Sequence, residues 1–206
     1  NSINTGRLSG LIAHFTPSYL KTNMLPSWET NCIEEWEKKV HEISKETILQ
    51  DMSIIGGIPP WVQMYFEKLK ELSGKKTIRE VFPHFNLFVN GGVNYEPYRS
   101  KFETLIGRKV DSIELYPASE GLFAFQDLQN ETGMLLQLDS GMFYEFISAD
   151  TFFDASHQRL TLKDVKIGVN YVIIISTTAG LWAYNIGDTV QFTSLAPFRV
   201  IVSGRI

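Results

Sequence analysis

The residues best suited to chemistry lie in one short stretch, Tyr116-Pro117-Ala118-Ser119-Glu120-Gly121. A tyrosine ring offers a flat face to a purine, a serine hydroxyl can bind a phosphate, and a glutamate is a hard oxygen ligand for Mg²⁺. Gly121 allows the backbone to approach a ligand closely. The alternative interpretation is an ordinary turn, since Ser, Glu and Gly often occur together in turns. The stretch indicates a nucleotide site only if other parts of the chain contribute to it.

Apolar residues that alternate with polar ones flank this stretch on both sides. Val110, Ile113 and Leu115 precede it, and Leu122 to Phe125 follows it. Such alternation predicts strands, so the stretch is expected on the turn that joins them. Strand ends are where α/β proteins place their binding sites.

Two further segments end predicted strands with residue types that suit a nucleotide. Asn90-Gly91-Gly92-Val93-Asn94 follows the predicted strand Phe85–Val89, and paired glycines there let a ligand lie against the backbone. Tyr184-Asn185-Ile186-Gly187-Asp188 is predicted to form a turn between strands, where the Asp188 carboxylate can accept hydrogen bonds from ribose hydroxyls. Each segment can also be a plain turn. Neither is a complete dinucleotide or P-loop fingerprint.

Helical patterns dominate the first half of the sequence. A short helix or turn is predicted near residues 7–14, and a longer helix is predicted from Asn31, with Asn31 as its N-cap and Glu34 as the reciprocal partner. A further helix opens at Pro59-Pro60 and stops at Gly74. Strands are expected at 52–55, 85–89 and 110–115. A brief helix is expected where Thr77 and Glu80 form a cap, and another over 98–106. The alternation predicts a layered α/β unit over residues 1–121.

The second half reads differently. Six strands separated by turn residues are predicted, at 122–125, 134–138, 143–147, 171–176, 189–193 and 198–202. Residues 122–206 are therefore expected to be the β-rich, antiparallel and barrel-like part of the same domain. The fold class is α/β, a mixed sheet with helices followed by a β-rich half.

Composition limits the classes of function. The chain has 206 residues, 44% of them hydrophobic, with a formal net charge of -4, so a folded core is expected and nucleic acid is not an expected partner. The single cysteine, Cys32, is typical of a reducing compartment. Neither a signal peptide nor a membrane-spanning run is recognised. A cytoplasmic protein with no membrane partner is expected. Its oligomeric state is not predicted.

Read together and in order, the segments resemble a known family. Gly91–Tyr95, Tyr116–Gly121 and Thr178–Tyr184 resemble motifs of the Gretchen Hagen family, the auxin-responsive acyl acid amido synthetases, and specifically their bacterial members. This family belongs to the acyl-adenylate-forming superfamily, which includes firefly luciferase. The segment from Pro197 to Arg205 resembles the entry to the interdomain hinge of these enzymes. The resemblance extends from about residue 7 to the end.

The resemblance implies a site for ATP and Mg²⁺. The Gly91-Gly92 backbone would border the adenine, and Tyr116 would stack on it. Asp188 would bind the ribose hydroxyls, and Arg205 would lie beside the ribose at the hinge.

The same resemblance implies two catalytic residues at the phosphate end. Ser119 would contact the α-phosphate or the acyl carboxylate, and Glu120 would hold Mg²⁺. The implied reaction joins a carboxylic acid to an amino acid. The acid attacks the α-phosphate of ATP, and the amine then displaces AMP from the acyl-adenylate. Positioning and charge neutralisation would supply most of the rate enhancement. Trp61, Tyr65 and Phe123 are candidates for the acyl pocket, or ordinary core residues.

Three departures from the family pattern shape the hypothesis. Asn185 replaces a usual arginine, and the sequence contains neither the Ser/Thr/Gly-rich phosphate loop nor the C-terminal domain that carries the catalytic lysine. The chain is therefore expected to be an incomplete fragment with little or no adenylation activity of its own. Two alternatives stay open: a non-catalytic module that binds a nucleotide or acyl ligand, and a purely structural domain.

Overall fold

The computed structural model describes residues 15–206, and the chain in it divides into two compact units. The first consists of the described residues up to Phe88 together with Glu96–Asp111, and the second of Val89–Tyr95 together with Ser112–Ile206. The protein is a mixed α/β protein, as predicted. The proposed division of an adenylation domain at residue 121 stays a prediction. The predicted helix near residues 7–14 lies outside the described residues.

The first unit is mainly helical. Its elements are α1 (Ser18–Lys21), α2 (Trp28–Asn31), α3 (Trp36–Thr47), β1 (Ile54–Gly57), α4 (Pro59–Ser73), α5 (Ile78–Val81) and α6 (Glu96–Ile106). None of the helices in the described part of the chain is both long and apolar enough to cross a membrane.

Helix α4 forms as its sequence predicts. Pro59 occupies the first turn, where the missing amide N–H costs nothing, and Gly74 ends the helix in the left-handed conformation with φ 67°. The buried stripe of α4 includes Phe66, whose ring contacts Phe85 at 5.9 Å and Phe102 at 5.5 Å between centroids. These edge-to-face contacts form the centre of the core of this unit.

The predicted N-cap at Asn31 is wrong. Asn31 is the last residue of α2, and α3 begins five residues later at Trp36, after Glu35, which makes no side-chain cap. The capping residue is Ser27: its hydroxyl accepts a hydrogen bond from the Thr30 N–H at 3.2 Å and donates to the Glu46 carboxylate at 2.6 Å. This contact with Glu46, 19 residues away, fixes where α2 starts and lies beyond any local capping pattern.

The second unit contains a sheet with mainly antiparallel neighbours. Its strands are β2 (Leu87–Gly91, of which Val89–Gly91 belong to this unit), β3 (Asp111–Ala118), β4 (Gly121–Phe125), β5 (Met134–Leu136), β6 (Met142–Ser148), β7 (Asn170–Thr177), β8 (Tyr184–Leu195) and β9 (Phe198–Arg205). They are ordered β2-β3-β4-β5-β9-β8-β7-β6. All six strands predicted after residue 121 are present, and each of them pairs antiparallel with its neighbours from β4 to β9.

The second unit has a large core cluster, beside a small one formed by Ile147, Val172 and Ile174. The large cluster is rich in aromatic residues: Phe146 contacts Phe192 at 5.1 Å and Tyr171 at 6.1 Å between ring centroids. Tyr116 and Phe123 belong to the same cluster. The β8–β9 register places Asp188 opposite Arg205. Packing within the large cluster therefore holds the strands whose ends carry the predicted site residues.

Candidate functional site

One cavity of about 710 Å³ in the second unit gathers most of the predicted site residues. Five segments line it: the loop after β2, the β3–β4 hairpin, the first residue of β5, the start of β8 and the end of β9. Its volume falls within the range of small-molecule sites. The predicted residues that line it are Gly92, Tyr116, Ser119, Glu120, Asp188 and Arg205.

Ser119 and Glu120 form the turn of the β3–β4 hairpin. Ala118 pairs with Gly121 directly across the turn, which leaves Ser119 and Glu120 as the two loop residues. Ser119 is exposed and Glu120 is half-buried, and both line the cavity. The predicted turn between two strands is confirmed for Ser119 and Glu120. It is shorter than the predicted Tyr116–Gly121, because Tyr116 and its two successors extend β3 and Gly121 begins β4. A short loop between paired strands holds this hydroxyl and this carboxylate at a defined place.

Tyr116 lies two residues before the turn and is only 6% exposed. Its ring packs edge-on against Phe123 at 5.1 Å between centroids, and its hydroxyl donates a hydrogen bond to Oδ2 of Asp188 at 2.9 Å. Burial, and next the nearby Asp188 carboxylate, raise the pKa of the Tyr116 hydroxyl. Tyr116 therefore stays protonated as a donor at neutral pH. Its stacking on a purine stays a prediction.

Asp188 connects this hairpin with the end of the chain. Its side chain is 21% exposed, and its Oδ1 atom lies 3.7 Å from Nε of Arg205, whose side chain is 78% exposed. The contact is longer than a hydrogen bond. Residues that are 72 positions apart, Tyr116 and Asp188, thus meet at the wall of one cavity.

The segment Tyr184–Asp188 is the beginning of β8, so its prediction as a turn between strands is wrong. Asn185 pairs with Ile174 of β7, while its side-chain oxygen accepts a hydrogen bond from the Gly187 N–H at 2.9 Å. Gly187 has a φ of 84°, a conformation that glycine adopts without strain. These residues form a local irregularity within β8 and do not form a turn between two strands. Asn185 has a structural role in it that an arginine could not perform.

The two glycines after β2 differ in their relation to the cavity. Gly92, with a φ of 82°, lines the cavity, whereas Gly91 is absent from its lining. A Cβ atom at Gly91 would lie 2.6 Å from the Leu115 carbonyl oxygen. Gly91 is therefore required where β2 approaches β3. Its contact with adenine stays a prediction.

The charged lining of the cavity is mainly acidic. It contains the carboxylates of Glu114, Glu120 and Asp188, and the guanidinium of Arg205. Within residues 15–206 there is no group of three or more His, Cys, Asp or Glu side chains that could hold a metal ion. A single carboxylate nevertheless fits Mg²⁺, which is often bound through one or two carboxylates together with substrate phosphates. Glu120 offers such a ligand.

Sequence reasoning missed two parts of the lining. Tyr184 is 41% exposed and presents an aromatic side chain to the cavity, although only its neighbours received roles. Residues 201–204 of β9 also line the cavity, next to Arg205. Alternation within β9 does not indicate them, because successive residues of a strand face opposite sides and these four are consecutive.

The candidate acyl-pocket residues lie elsewhere. Phe123 is fully buried in the core of the second unit. Trp61 and Tyr65 line a different cavity, of about 210 Å³, within the first unit. There, Trp61 contacts Trp36 at 5.0 Å between ring centroids, and the Tyr65 hydroxyl lies 2.7 Å from the Thr47 hydroxyl.

Comparison with known proteins shows which family the chain resembles. The sequence model of the GH3 family central domain matches residues 135–205. The resemblance to this family is confirmed. The GH3 segment, as we call residues 135–205, contains Asp188 and Arg205, whereas the β3–β4 hairpin precedes it. The search of curated proteins found no match.

Solved structures share the fold. One is the AtGH3.15 acyl acid amido synthetase in complex with 2,4-DB, with a TM-score of 0.66, 12% identity, and coverage of 95% of this chain and 44% of that one. Another is the 2-hydroxyisobutyryl-CoA ligase in complex with 2-HIB-AMP and CoA, with a TM-score of 0.56 and 11% identity. The match covers 81% of this chain and 39% of that one.

A third is the long-chain-fatty-acid-CoA ligase FadD1 from Archaeoglobus fulgidus, with a TM-score of 0.51 and 13% identity. The match covers 84% of this chain and 37% of that one. The chain thus spans less than half the length of each of these enzymes. At these identities the likeness defines the fold, and the fold is that of adenylate-forming ligases.

Proposed function

We propose that this chain carries part of the nucleotide site of an acyl acid amido synthetase. In the complete enzyme, ATP would activate a carboxylic acid as an acyl-adenylate, and an amino acid would then form the amide. The observation that carries the proposal is the single cavity that Ser119, Glu120 and Asp188 line together. The GH3 family match and the structural likeness to two kinds of adenylate-forming ligase support it.

Both steps of the proposed reaction are displacements. A carboxylate oxygen attacks the α-phosphorus of ATP, and the bond from that phosphorus to pyrophosphate breaks. The amine nitrogen then attacks the acyl carbon, the bond to AMP breaks, and the nitrogen loses a proton. Activation replaces a poor leaving group by a good one, so the protein mainly has to position the reactants and balance their charge.

The chain's own residues divide these tasks between a ribose subsite and a phosphate subsite of the cavity, which we assign as follows. In the ribose subsite, Asp188 would accept hydrogen bonds from the ribose hydroxyls, and Arg205 lies beside it. In the phosphate subsite, the Ser119 hydroxyl would donate to an oxygen of the α-phosphate or the acyl group. Tyr184 offers a partly exposed ring to the purine. These contacts hold the reacting atoms in line and lower the entropic cost of their meeting.

Glu120 is the residue that would hold Mg²⁺. When bound, the ion supplies positive charge beside the phosphates, which the acidic lining of this cavity does not provide. Glu120 occupies the hairpin turn with its carboxylate half-buried, so it can approach a cation without a large conformational change.

Acid-dependent exchange of labelled pyrophosphate into ATP tests the proposal in the complete protein. Glu120→Gln and Asp188→Asn are expected to reduce exchange by about 100-fold or more, as losing a group that positions or neutralises the reacting phosphates does. Glu131→Gln and Asp139→Asn are the matched controls, because both carboxylates are exposed and neither lines the cavity. Equal exchange in all four variants would refute the proposed roles.

A second candidate is a module that binds a nucleotide or acyl ligand without catalysis. One observation favours it: Arg205 is the one cationic side chain among the described residues that line the cavity, and Asn185 replaces an arginine that is usual in the family. The two functions separate in one comparison. The module would bind ATP without exchanging pyrophosphate, whereas the synthetase would do both.

A further inference from the structure

Asp188 has two carboxylate oxygens with different surroundings. Oδ2 accepts a hydrogen bond from the Tyr116 hydroxyl at 2.9 Å, and Oδ1 lies 3.7 Å from the exposed Arg205 guanidinium. A carboxylate oxygen can accept more than one hydrogen bond, and the Arg205 contact is longer than a hydrogen bond. A ligand hydroxyl can therefore reach Oδ1 by moving a solvent-exposed side chain.

The hydroxyl that holds Oδ2 is itself fixed in place. Tyr116 is 6% exposed, its ring packs edge-on against Phe123, and its backbone pairs with Ala124 of β4. Asp188 is fixed at the backbone by its pairing with Arg205 of β9. The Tyr116–Asp188 hydrogen bond therefore joins two ordered strands and costs little conformational entropy when a ligand binds.

The proton of this hydrogen bond belongs to the tyrosine. Burial, and next the charge of Asp188, raise the pKa of Tyr116, so its hydroxyl remains a donor. A protonated donor is what an ionised carboxylate requires, and hydrogen bonds to charged acceptors are stronger than neutral ones.

We propose that Tyr116 is a positioning residue that acts through Asp188: its hydroxyl holds Oδ2 and thereby aims Oδ1 at the ribose hydroxyls, so that the site selects ribonucleotides over nucleotides that lack those hydroxyls. The inference rests on the proposed nucleotide site. It adds a residue that contributes selectivity through its hydroxyl, in addition to the stacking predicted for its ring. Without that hydroxyl, the carboxylate loses its fixed orientation.

Binding of ATP and of 2′,3′-dideoxy-ATP, measured by calorimetry on the complete protein, tests the inference. Wild-type protein is expected to bind ATP more tightly. Selectivity is the dissociation constant of 2′,3′-dideoxy-ATP divided by that of ATP. Tyr116→Phe should reduce this ratio by about tenfold, because it removes a hydrogen bond to a charged group. The reduction should come from weaker ATP binding alone. Tyr144→Phe is the matched control, because Tyr144 is also a buried tyrosine of this core and its hydroxyl contacts the Met142 sulfur at 3.8 Å.

The ratio is a sound readout even if Tyr116→Phe is partly unfolded. An unfolded fraction raises both apparent dissociation constants by the same factor and leaves their ratio unchanged. A second variant separates positioning from a direct contact. Asp188→Ala should itself abolish the selectivity, and adding Tyr116→Phe to Asp188→Ala should then change nothing further.

Three results would overturn the inference in distinguishable ways. Unchanged selectivity in Tyr116→Phe would mean that the hydroxyl does not position Asp188, while the proposed nucleotide site would stand. Equal binding of the two nucleotides by wild-type protein would mean that Asp188 does not read the ribose hydroxyls. The inference and the proposed ribose role of Asp188 would then fail together, while nucleotide binding itself would stand. A wild-type protein that binds neither nucleotide would refute the proposed function and this inference together.

Discussion

Asp188 and Arg205 are direct partners across the β8–β9 ladder, and their side chains form an ion pair of 3.7 Å at the wall of the cavity. The Arg205 side chain is 78% exposed, so the pair is solvated and contributes little to stability. The ion pair lies beside the proposed ribose site, so we expect it to affect ligand binding more than stability.

Arg205→Ala is expected to weaken ATP binding while changing the free energy of unfolding by less than about 1 kcal/mol, since exposed ion pairs contribute that much at most. Arg159→Ala is the matched control: it breaks the 3.1 Å ion pair with Glu145, away from the cavity, and should leave ATP binding unchanged. Calorimetry and urea unfolding of both variants provide the measurements. Equal ATP affinity in the two variants would count against a role for Arg205.

A second ion pair of the same unit, Arg199–Asp127, should contribute much more to stability, because its arginine is buried. Arg199 is 4% exposed and binds Asp127 through both guanidinium nitrogens, with Nη2 at 2.9 Å from Oδ2. Asp127→Ala leaves this guanidinium buried without its carboxylate, so we expect a loss of about 2–4 kcal/mol in the free energy of unfolding. Glu145→Ala, which breaks the more exposed pair with Arg159, should cost less than about 1 kcal/mol. Urea unfolding distinguishes the two, and similar losses would contradict this assignment.

The same pair predicts a pH dependence. Hydrogen bonds from Arg199 lower the pKa of Asp127 below its ordinary value of 3.8, so the folded state binds this proton less readily than the unfolded state. The stabilisation is therefore fully present above that ordinary value and is lost as the pH falls through the lower, folded pKa. The difference in unfolding free energy between wild type and Asp127→Asn should shrink below about pH 4. A difference that is constant from pH 7 to pH 3 would contradict the pKa shift.

Gly91 is predicted to be a structural residue. An added Cβ would lie 2.6 Å from the Leu115 carbonyl oxygen, which belongs to the backbone and cannot move aside cheaply. We expect Gly91→Ala to cost about 1–3 kcal/mol of unfolding free energy, as overpacking does. Gly204→Ala is the comparison, since its Cβ would meet the Thr189 hydroxyl at 3.3 Å, a side-chain atom that can move. Equal unfolding midpoints in urea for the two variants would disprove the steric requirement at Gly91.

Local patterns predicted the elements well where one face is buried. The stripe of α4 and its end at Gly74 follow from helical spacing and from the left-handed preference of glycine. The strands after residue 121 follow from alternation. Asn31 failed as a cap because Ser27 is held by Glu46, a contact between residues 19 positions apart that no local pattern contains.

The sequence predicts several residues that belong to the candidate site, but it does not predict the contacts between them. The resemblance named Tyr116 and Asp188 separately, with a stacking role for one and a ribose role for the other. Their hydrogen bond depends on the strand order β3-β4-β5-β9-β8, which brings residues 72 positions apart to one cavity. Pairing over such distances is set by tertiary packing, so neither propensity nor spacing reveals it. The same reason explains why the exposed ring of Tyr184 was not recognised as part of the lining.

The most direct test of the central claim is a crystal structure of the protein with a non-hydrolysable ATP analogue and Mg²⁺. The account predicts one nucleotide in the cavity, with its ribose hydroxyls within hydrogen-bond distance of Asp188 and its phosphates beside Ser119 and Glu120. A nucleotide bound elsewhere, or bound in the cavity without contact to Asp188 and Glu120, would contradict it.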